Sequence, residues 1–141
     1  MARGELETGL VTLDTSGLVA VMDRHDPNHG RAARALADDR GPYVIPTAIL
    51  AEIAYFLEQK VGGRVLDALL EDLEAGRYRL DCGEEDLSRI RHLVQRYADL
   101  PLGFADAAVI ACAERHGGKV LTLDFRHFGV VAREGTITIL P

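Results

Sequence analysis

The chain has 141 residues, the length of one ordinary domain, and carries a formal net charge of −6. Hydrophobic residues make up 48%, enough for a real core, and no stretch is long and apolar enough to cross a bilayer. The acidic balance disfavours a broad basic surface for nucleic acid, although metal-binding acids in a nuclease would contribute to the same negative total.

The start of the chain differs in character from the rest. Residues 1–9 lack the apolar centre of a secretion signal and are predicted to be a short, mobile leader, which leaves residues 10–141 as a single domain. Cys82 and Cys112 stand in apolar contexts and are predicted to pack in the core. Because neither a disulfide framework nor a zinc pattern is present, the sequence favours a reducing, cytoplasmic setting.

Strand-like and helix-like segments alternate after the leader. Short strands are predicted at 10–13, 43–45, 78–82, 119–123 and 136–140. Helices are predicted at 16–22, 29–38, from Pro46 to Gly62, and at 65–76, 84–98 and 106–116. This alternation predicts a three-layer α/β/α sandwich around a central, mostly parallel sheet.

Two acidic residues directly follow predicted strands. Asp14 ends the first strand, and Asp124 ends the strand at 119–123. Parallel α/β sheets bind ligands beyond the carboxyl ends of their strands, so both side chains are predicted to point into one crevice.

Glu52 is the most telling acid, because it lies inside a predicted helix. Residues three or four apart share a helical face, which puts Glu52 on the apolar stripe between Ile49 and Phe56. A carboxylate facing a core is costly unless it is paired or binds a metal. Neither a helix cap nor a turn explains a carboxylate at this position.

The other acids have ordinary structural alternatives. Asp14 and Asp106 are each suited to cap a following helix, and Asp124 is suited to a turn. Asp106 nevertheless shares a helical face with apolar residues, which indicates that it points towards the core. Together the four acids match the hard oxygen ligands of Mg²⁺ or Mn²⁺, which can activate water to attack a phosphodiester.

The residues around these acids resemble a known family. The sequence is similar to PIN-domain ribonucleases, and among them to VapC-type toxins of toxin–antitoxin pairs. The similarity covers nearly the whole chain after the leader and follows the family's order. It rests on Leu-Asp-Thr-Ser-Gly-Leu at 13–18, Pro-Thr at 46–47 with Ala-Glu-Ile at 51–53, Tyr-Ala-Asp-Leu-Pro-Leu-Gly-Phe-Ala-Asp-Ala at 97–107, and Thr-Leu-Asp-Phe-Arg-His-Phe at 122–128.

The resemblance implies a role for each matching residue. Asp14, Glu52, Asp106 and Asp124 match the family's catalytic acids, and Asp14 and Asp106 match its direct metal ligands. Mg²⁺ is the implied cofactor, with Mn²⁺ as a substitute. The resemblance further implies an RNA substrate, a VapB-like antitoxin and a homodimer, and it implies no association with a membrane.

Several neighbouring residues are candidates for support. Thr15, Ser16 and Thr122 match positions that hold the acids through hydroxyl or backbone groups. Asp99 is an extra acid in the segment before Asp106, either a support for the site or a turn residue. Arg126 is a phosphate-contact candidate, with an ion pair as the alternative. Further residues are given structural roles: packing or capping for His29 and His127, and a tight turn for Gly17.

Two rivals to the nuclease remain open on the sequence. In one, a non-catalytic module uses the acidic crevice to capture a basic partner segment, and metal-dependent RNA cleavage would separate it from a nuclease. In the other, the chain is a phosphotransfer domain of the receiver or haloacid-dehalogenase type. The dehalogenase type would need a second Asp where Ser16 stands, and a receiver would need a lysine near the last strand's end, where none is evident.

Overall fold

The structure is a computed structural model that describes residues 9–141. The predicted leader therefore lies outside the described residues, apart from Gly9, and its mobility stays a prediction. Within residues 9–141, no helix combines the length and apolarity that a membrane span requires.

Five parallel strands form one sheet, which confirms the predicted fold class. Their order across the sheet is β3-β2-β1-β4-β5, and every neighbouring pair is parallel. Each strand falls within or beside a predicted segment. The strands are β1 Val11–Leu13, β2 Tyr43–Pro46, β3 Tyr78–Asp81, β4 Lys119–Leu121 and β5 Thr138–Leu140.

The described part of the chain forms seven α-helices around this sheet. They are α1 Thr15–Met22, α2 His29–Asp39, α3 Leu50–Phe56, α4 Gly63–Glu74, α5 Leu87–Arg96, α6 Phe104–Arg115 and α7 Phe125–Ala132. A 3₁₀ turn at Thr47–Ile49 leads into α3, and a π-helical turn at Leu57–Val61 follows it. Another 3₁₀ turn, Glu84–Asp86, leads into α5. The sequence did not predict α7.

Central strand β1 and helix α6 carry much of the core. Val11 and Leu13 of β1 are fully buried, as expected for a strand covered on both faces. In α6, residues 107–113 are all buried, and the helix packs against β1 and β4. Small alanine side chains there allow a close approach of the helix to the sheet, so α6 is anchored firmly beside the crevice.

Gly17 serves a close approach rather than the predicted tight turn. It lies within α1, and a Cβ atom on it would stand 2.4 Å from the Leu121 carbonyl oxygen. Such a distance leaves no room for any side chain. Glycine therefore lets α1 pack directly against the end of β4, next to Asp14.

The two cysteines have different environments. Cys112 is buried in α6, as predicted, and burial raises the pKa of its thiol to about 12. The prediction of core packing is wrong for Cys82, which is exposed. It follows β3, an edge strand with a neighbour on only one side, so the apolar pattern there does not lead into the core.

Arg115 joins the end of α6 to the region after β3. Its guanidinium donates to both carboxylate oxygens of Asp81 at 2.8 Å and to those of Asp86 at 2.7 and 2.9 Å. Hydrogen bonding from Arg115 lowers the pKa of Asp81 to about 2. His116 joins the same cluster at 2.7 Å from Asp81, with its side chain 12% exposed.

Candidate active site

A cleft of about 340 Å³ opens beyond the carboxyl ends of β1 and β4, and all four predicted acids line it. Parallel strands end at one edge of a sheet, and this brings together Asp14 and Asp124, which are 110 residues apart in sequence. The lining residues are Asp14, Thr15, Ser16, Val19, Asp26, Glu52, Phe56, Lys60, Asp106, Leu123 and Asp124.

Asp14 is held by hydroxyls rather than used as a helix cap. Its backbone N–H donates to the Leu121 carbonyl at 3.0 Å, and its side chain makes no capping hydrogen bond to α1. Instead, Oδ2 accepts from Thr122 Oγ1 at 2.8 Å and from Ser16 Oγ at 3.0 Å. The side chain is buried, and desolvation raises its pKa despite these two donors.

The predicted supporting hydroxyls all contact the acids or their backbone. Thr15 Oγ1 donates to Glu52 Oε1 at 2.6 Å. Thr122 bridges two acids, because its hydroxyl donates to Asp14 and accepts from the Asp124 backbone N–H at 3.0 Å. Ser16 Oγ also accepts from the Leu123 N–H at 2.9 Å. These bonds fix the strand ends and the carboxylates in one arrangement.

Glu52 lines the cleft, but the reason for which it was singled out is wrong. Its side chain is exposed and does not face the core. Ile49, Ile53 and Leu57 follow one another at intervals of four residues and carry the fully buried stripe. Glu52 lies beside that stripe, and its carboxylate accepts the hydroxyl of Thr15.

Asp106 lies in the first turn of α6, where Gly103 and not Asp106 occupies the capping position. A helix N-terminus favours a nearby negative charge. Burial nevertheless raises the pKa of Asp106 to about 6, with further contributions from the charges of Asp14 and Asp124. Among the described residues, no hydrogen-bond donor satisfies this carboxylate, so it is the acid with the least compensation.

Asp124 has a structural role as well as a place in the cleft. Its Oδ1 accepts from the backbone N–H of His127 at 3.1 Å and so caps α7. His127 Nδ1 lies 2.9 Å from Oδ2, and Nε2 lies 3.1 Å from the Leu100 carbonyl oxygen. Both ring nitrogens thus face acceptors. His127 does not itself cap the helix, because Asp124 is the capping residue and His127 supplies the N–H that is capped.

Two predicted supporting residues stand apart from the cleft. Asp99 is exposed in the turn before α6, and Arg126 is exposed in the first turn of α7. Neither lines the cleft. Within residues 9–141, Arg126 has no carboxylate within 4.0 Å, so the ion pair considered for it is not formed there. Their proposed contributions to the site stay predictions.

Sequence reasoning missed one neighbour of the cleft and five residues that line it, Val19, Asp26, Phe56, Lys60 and Leu123. Asp26 adds a fifth carboxylate, and Phe56 and Lys60 line the side that begins with Glu52. The spacing of four from Glu52 to Phe56 to Lys60 was an available signal, since such residues share a helical face. His127 offers a ligand atom within 4.8 Å of those of Asp106 and Asp124. Its spacing of three from Asp124 was a comparable signal.

The donor set suits a hard divalent cation. Carboxylate oxygens from separate elements converge, and burial and mutual repulsion raise the pKa of both Asp14 and Asp106. A cluster with this excess of negative charge is stabilised by a cation, and oxygen ligands favour Mg²⁺ or Mn²⁺ over softer metals. The residues present therefore fit the metal that the resemblance implies.

Comparisons with known proteins agree on one family. The family model described as PIN domain matches residues 11–134. Ribonuclease VapC26 of Mycobacterium tuberculosis is 31% identical over 133 residues, which covers 92% of this chain and 98% of the relative.

Two solved structures share the fold. The structure of Mycobacterium tuberculosis VapC20, described as a sarcin-ricin loop cleaving toxin, gives a TM-score of 0.74 at 21% identity and covers 93% of this chain and 99% of its own. FitAcB from Neisseria gonorrhoeae gives 0.59 at 19% identity, with coverage of 94% and 97%.

Proposed function

The chain belongs to the PIN domain family, and on this premise we propose that it is a Mg²⁺-dependent endoribonuclease that hydrolyses RNA phosphodiester bonds. The observation that carries the proposal is the convergence of Asp14, Glu52, Asp106 and Asp124 on one cleft at the carboxyl edge of the sheet. The 31% identical relative is itself named a ribonuclease. No nucleophilic side chain is required, because water is the attacking group.

Asp14 and Asp106 are the proposed direct ligands of the metal, and Glu52 and Asp124 hold its water molecules. When bound, Mg²⁺ supplies Lewis-acid polarisation of the phosphate and a more acidic water. Thr122 and Ser16 keep the Asp14 carboxylate in one orientation through bonds of 2.8 and 3.0 Å. Thr15 orients Glu52 in the same way at 2.6 Å. Preorganised ligands of this kind reduce the reorganisation required on binding.

The biological role that we propose is that of a toxin in a type II toxin–antitoxin system. The similarity to VapC26 over nearly the full length of both chains supports this role. A VapB-like antitoxin is the proposed partner, with RNA as substrate, a homodimer as the assembly and the cytoplasm as the place of action. An antitoxin arginine placed among the four acids would match their charge and block the cleft.

Cleavage of single-stranded RNA by the purified protein, with Mg²⁺ and with EDTA, tests the activity. We expect cleavage only with Mg²⁺ or Mn²⁺. Asp14→Asn should reduce the rate by about 100-fold or more, because changes near a metal ligand already reduce activity 10- to 100-fold. Asp67→Asn is the matched control, since Asp67 is an exposed acid of α4 outside the cleft.

Each outcome separates the alternatives. Equal cleavage by Asp14→Asn and the parent at limiting Mg²⁺ would show that the acid cluster is not the active site. Tight capture of a basic peptide without any RNA cleavage would support the non-catalytic binding module instead.

A further inference from the structure

One basic side chain stands among the acids of the cleft. Of the described residues that line it, Asp14, Asp26, Glu52, Asp106 and Asp124 are acidic and Lys60 alone is basic. RNA carries a negative charge at every phosphate. The acids of the cleft therefore repel those phosphates that the metal does not bind. A strand that enters this cleft needs a compensating positive group from the protein.

The local backbone brings Lys60 into the cleft. Helix α3 ends at Phe56, and the chain continues as a π-helical turn, Leu57–Val61. Fully buried Leu57 anchors this turn to the core. Single π-helical turns are rare in proteins, and those that occur are often found at functional sites. Here the turn extends the side of α3 that carries Glu52 and Phe56, so that Lys60 follows them at the rim.

The ammonium of Lys60 is held in position, but no carboxylate pairs with it. Nζ lies 5.3 Å from the centre of the Phe56 ring, within the range of a cation–π contact. Among the described residues, no carboxylate lies within 4.0 Å of Nζ, although Glu52 and Asp26 line the same cleft. Lys119 is the contrast, because its Nζ lies 3.0 Å from Asp39 Oδ2.

A simpler role for Lys60 is packing alone, with its aliphatic stem covering Phe56 and its charge in water. That role explains the ring contact. It does not explain why the ammonium is directed to the rim of a cleft crowded with carboxylates and yet pairs with none of them. An ammonium group, which has three N–H donors and pairs with no carboxylate of residues 9–141, suits an incoming phosphate at this position.

We propose that Lys60 binds a backbone phosphate of the RNA next to the one that is cleaved, and so positions the strand over the acids. This inference rests on the proposed ribonuclease function. Phe56 holds the ammonium over its ring, and the contact carries no base specificity, because the phosphate is common to all nucleotides. Lys60 is therefore a substrate-binding residue.

The test compares Lys60→Met with Lys119→Met in the purified full chain. Each variant loses one positive charge from the same residue type, so only the position differs. Single-stranded RNA cleavage with Mg²⁺ gives kcat and KM, and binding of a fluorescent oligoribonucleotide in EDTA gives Kd as a function of salt. Lys60→Arg keeps the charge, and Lys60→Gln is a second neutral variant.

We expect Lys60→Met and Lys60→Gln to raise KM by about 5- to 10-fold with kcat nearly unchanged, since one charged contact at an exposed rim is lost. The salt dependence of binding should become shallower by about 0.7 in log Kd per log salt, the value for one phosphate of a single strand. Lys60→Arg should restore most of the binding, and Lys119→Met should match the parent.

Two results would overturn the inference. If the Lys60 and Lys119 variants share the same KM and salt dependence, Lys60 only packs on Phe56. If Lys60→Met lowers kcat while its salt dependence stays that of the parent, Lys60 acts through the acids and not through RNA. Failure of the parent to cleave any RNA would instead refute the proposed function, and the binding measurements in EDTA would still decide whether Lys60 contacts RNA.

Discussion

Removal of the Asp106 charge should stabilise the metal-free protein. Asp106 is half-buried, accepts no hydrogen bond from any described residue and lies near Asp14 and Asp124. Asp106→Asn keeps the size of the side chain and deletes the repulsion without breaking a hydrogen bond. Asp124 is a poorer choice for this experiment, because its carboxylate caps α7 and contacts His127.

The raised pKa of Asp106 sets the size of the expected gain in the free energy of unfolding. A change from 3.8 to about 6 corresponds to about 3 kcal/mol between the charged and neutral forms. Solvent reaches this carboxylate and screens its charge, which reduces the expected gain in the free energy of unfolding to about 1 kcal/mol. For a domain of this size, that gain raises the melting temperature by about 3–4 °C.

The gain should depend on pH in a defined direction. The folded protein holds the Asp106 proton up to about pH 6, whereas the unfolded chain releases it near pH 3.8. The parent therefore loses stability, relative to Asp106→Asn, as the pH rises from 3.8 through about 6. The difference between the free energies of unfolding of the two proteins should be complete above about pH 6 and should vanish below pH 3.8.

Thermal melts of both proteins in EDTA, from pH 4 to pH 8, measure this difference, with Asp67→Asn as the control for loss of an exposed charge. Excess Mg²⁺ should raise the melting temperature of the parent by mass action and that of Asp106→Asn much less. An Asp106→Asn variant that is less stable than the parent at pH 7 in EDTA, with an undiminished Mg²⁺ response, would refute the reasoning. Asp106 would then contribute through its position at the N-terminus of α6.

Two further predictions concern the framework that positions the site. Gly17→Ala should lower the free energy of unfolding by about 3 kcal/mol in denaturant titrations, since its Cβ would stand 2.4 Å from the Leu121 carbonyl oxygen. An unchanged midpoint would show that α1 moves freely against β4. Arg115→Met should lower the free energy of unfolding by about 2–3 kcal/mol, because the carboxylates of Asp81 and Asp86 lose the guanidinium that binds them. Asp81 has a folded pKa of about 2 and an ordinary value of 3.8, so this loss should be full above pH 3.8 and shrink below it. A loss that stays constant with pH would argue against the ion pair as its source.

The sequence predicted the order of the strands and of six helices, but it did not predict the helix after Asp124. Alternating runs gave five strands close to their observed positions, because a fully buried parallel strand is a short continuous apolar run. The segment after Asp124 does carry helix signals, namely an aspartate suited to a helix start and two buried residues three apart, Phe128 and Val131. The turn assigned to Asp124 and the short length of the segment, eight residues, hid this helix.

Glu52 shows where a sound choice of residue rested on an incorrect reason. A uniform helical period from Ile49 to Phe56 placed it on the core face. The structure begins α3 at Leu50, after a 3₁₀ turn, and leaves Glu52 exposed at the cleft. The buried stripe advances by four residues, through Ile53 to Leu57, so it passes beside Glu52 rather than through it. The same interval of four, counted from Glu52, leads to the cleft residue Lys60.

The positions of three of the acids follow from the order of the strands. Asp14 follows central strand β1, while Glu52 and Asp124 follow β2 and β4, its two neighbours in the sheet. The fourth acid, Asp106, lies instead in the first turn of α6, which packs against β1 and β4 and so brings this carboxylate to the same cleft.

The same convergence leaves the cleft with an excess of negative charge. Within the described part of the chain, this charge is offset in part by the hydroxyls on Asp14, the helix-capping bond to Asp124 and the ammonium of Lys60. Asp106 remains without a donor among the described residues, and burial together with the charges of Asp14 and Asp124 raises its pKa to about 6. The proposed active site thus lowers the stability of the fold, as is common for active sites. A metal ion, or a partner's guanidinium, would relieve the same repulsion, and the two should therefore compete for the cleft.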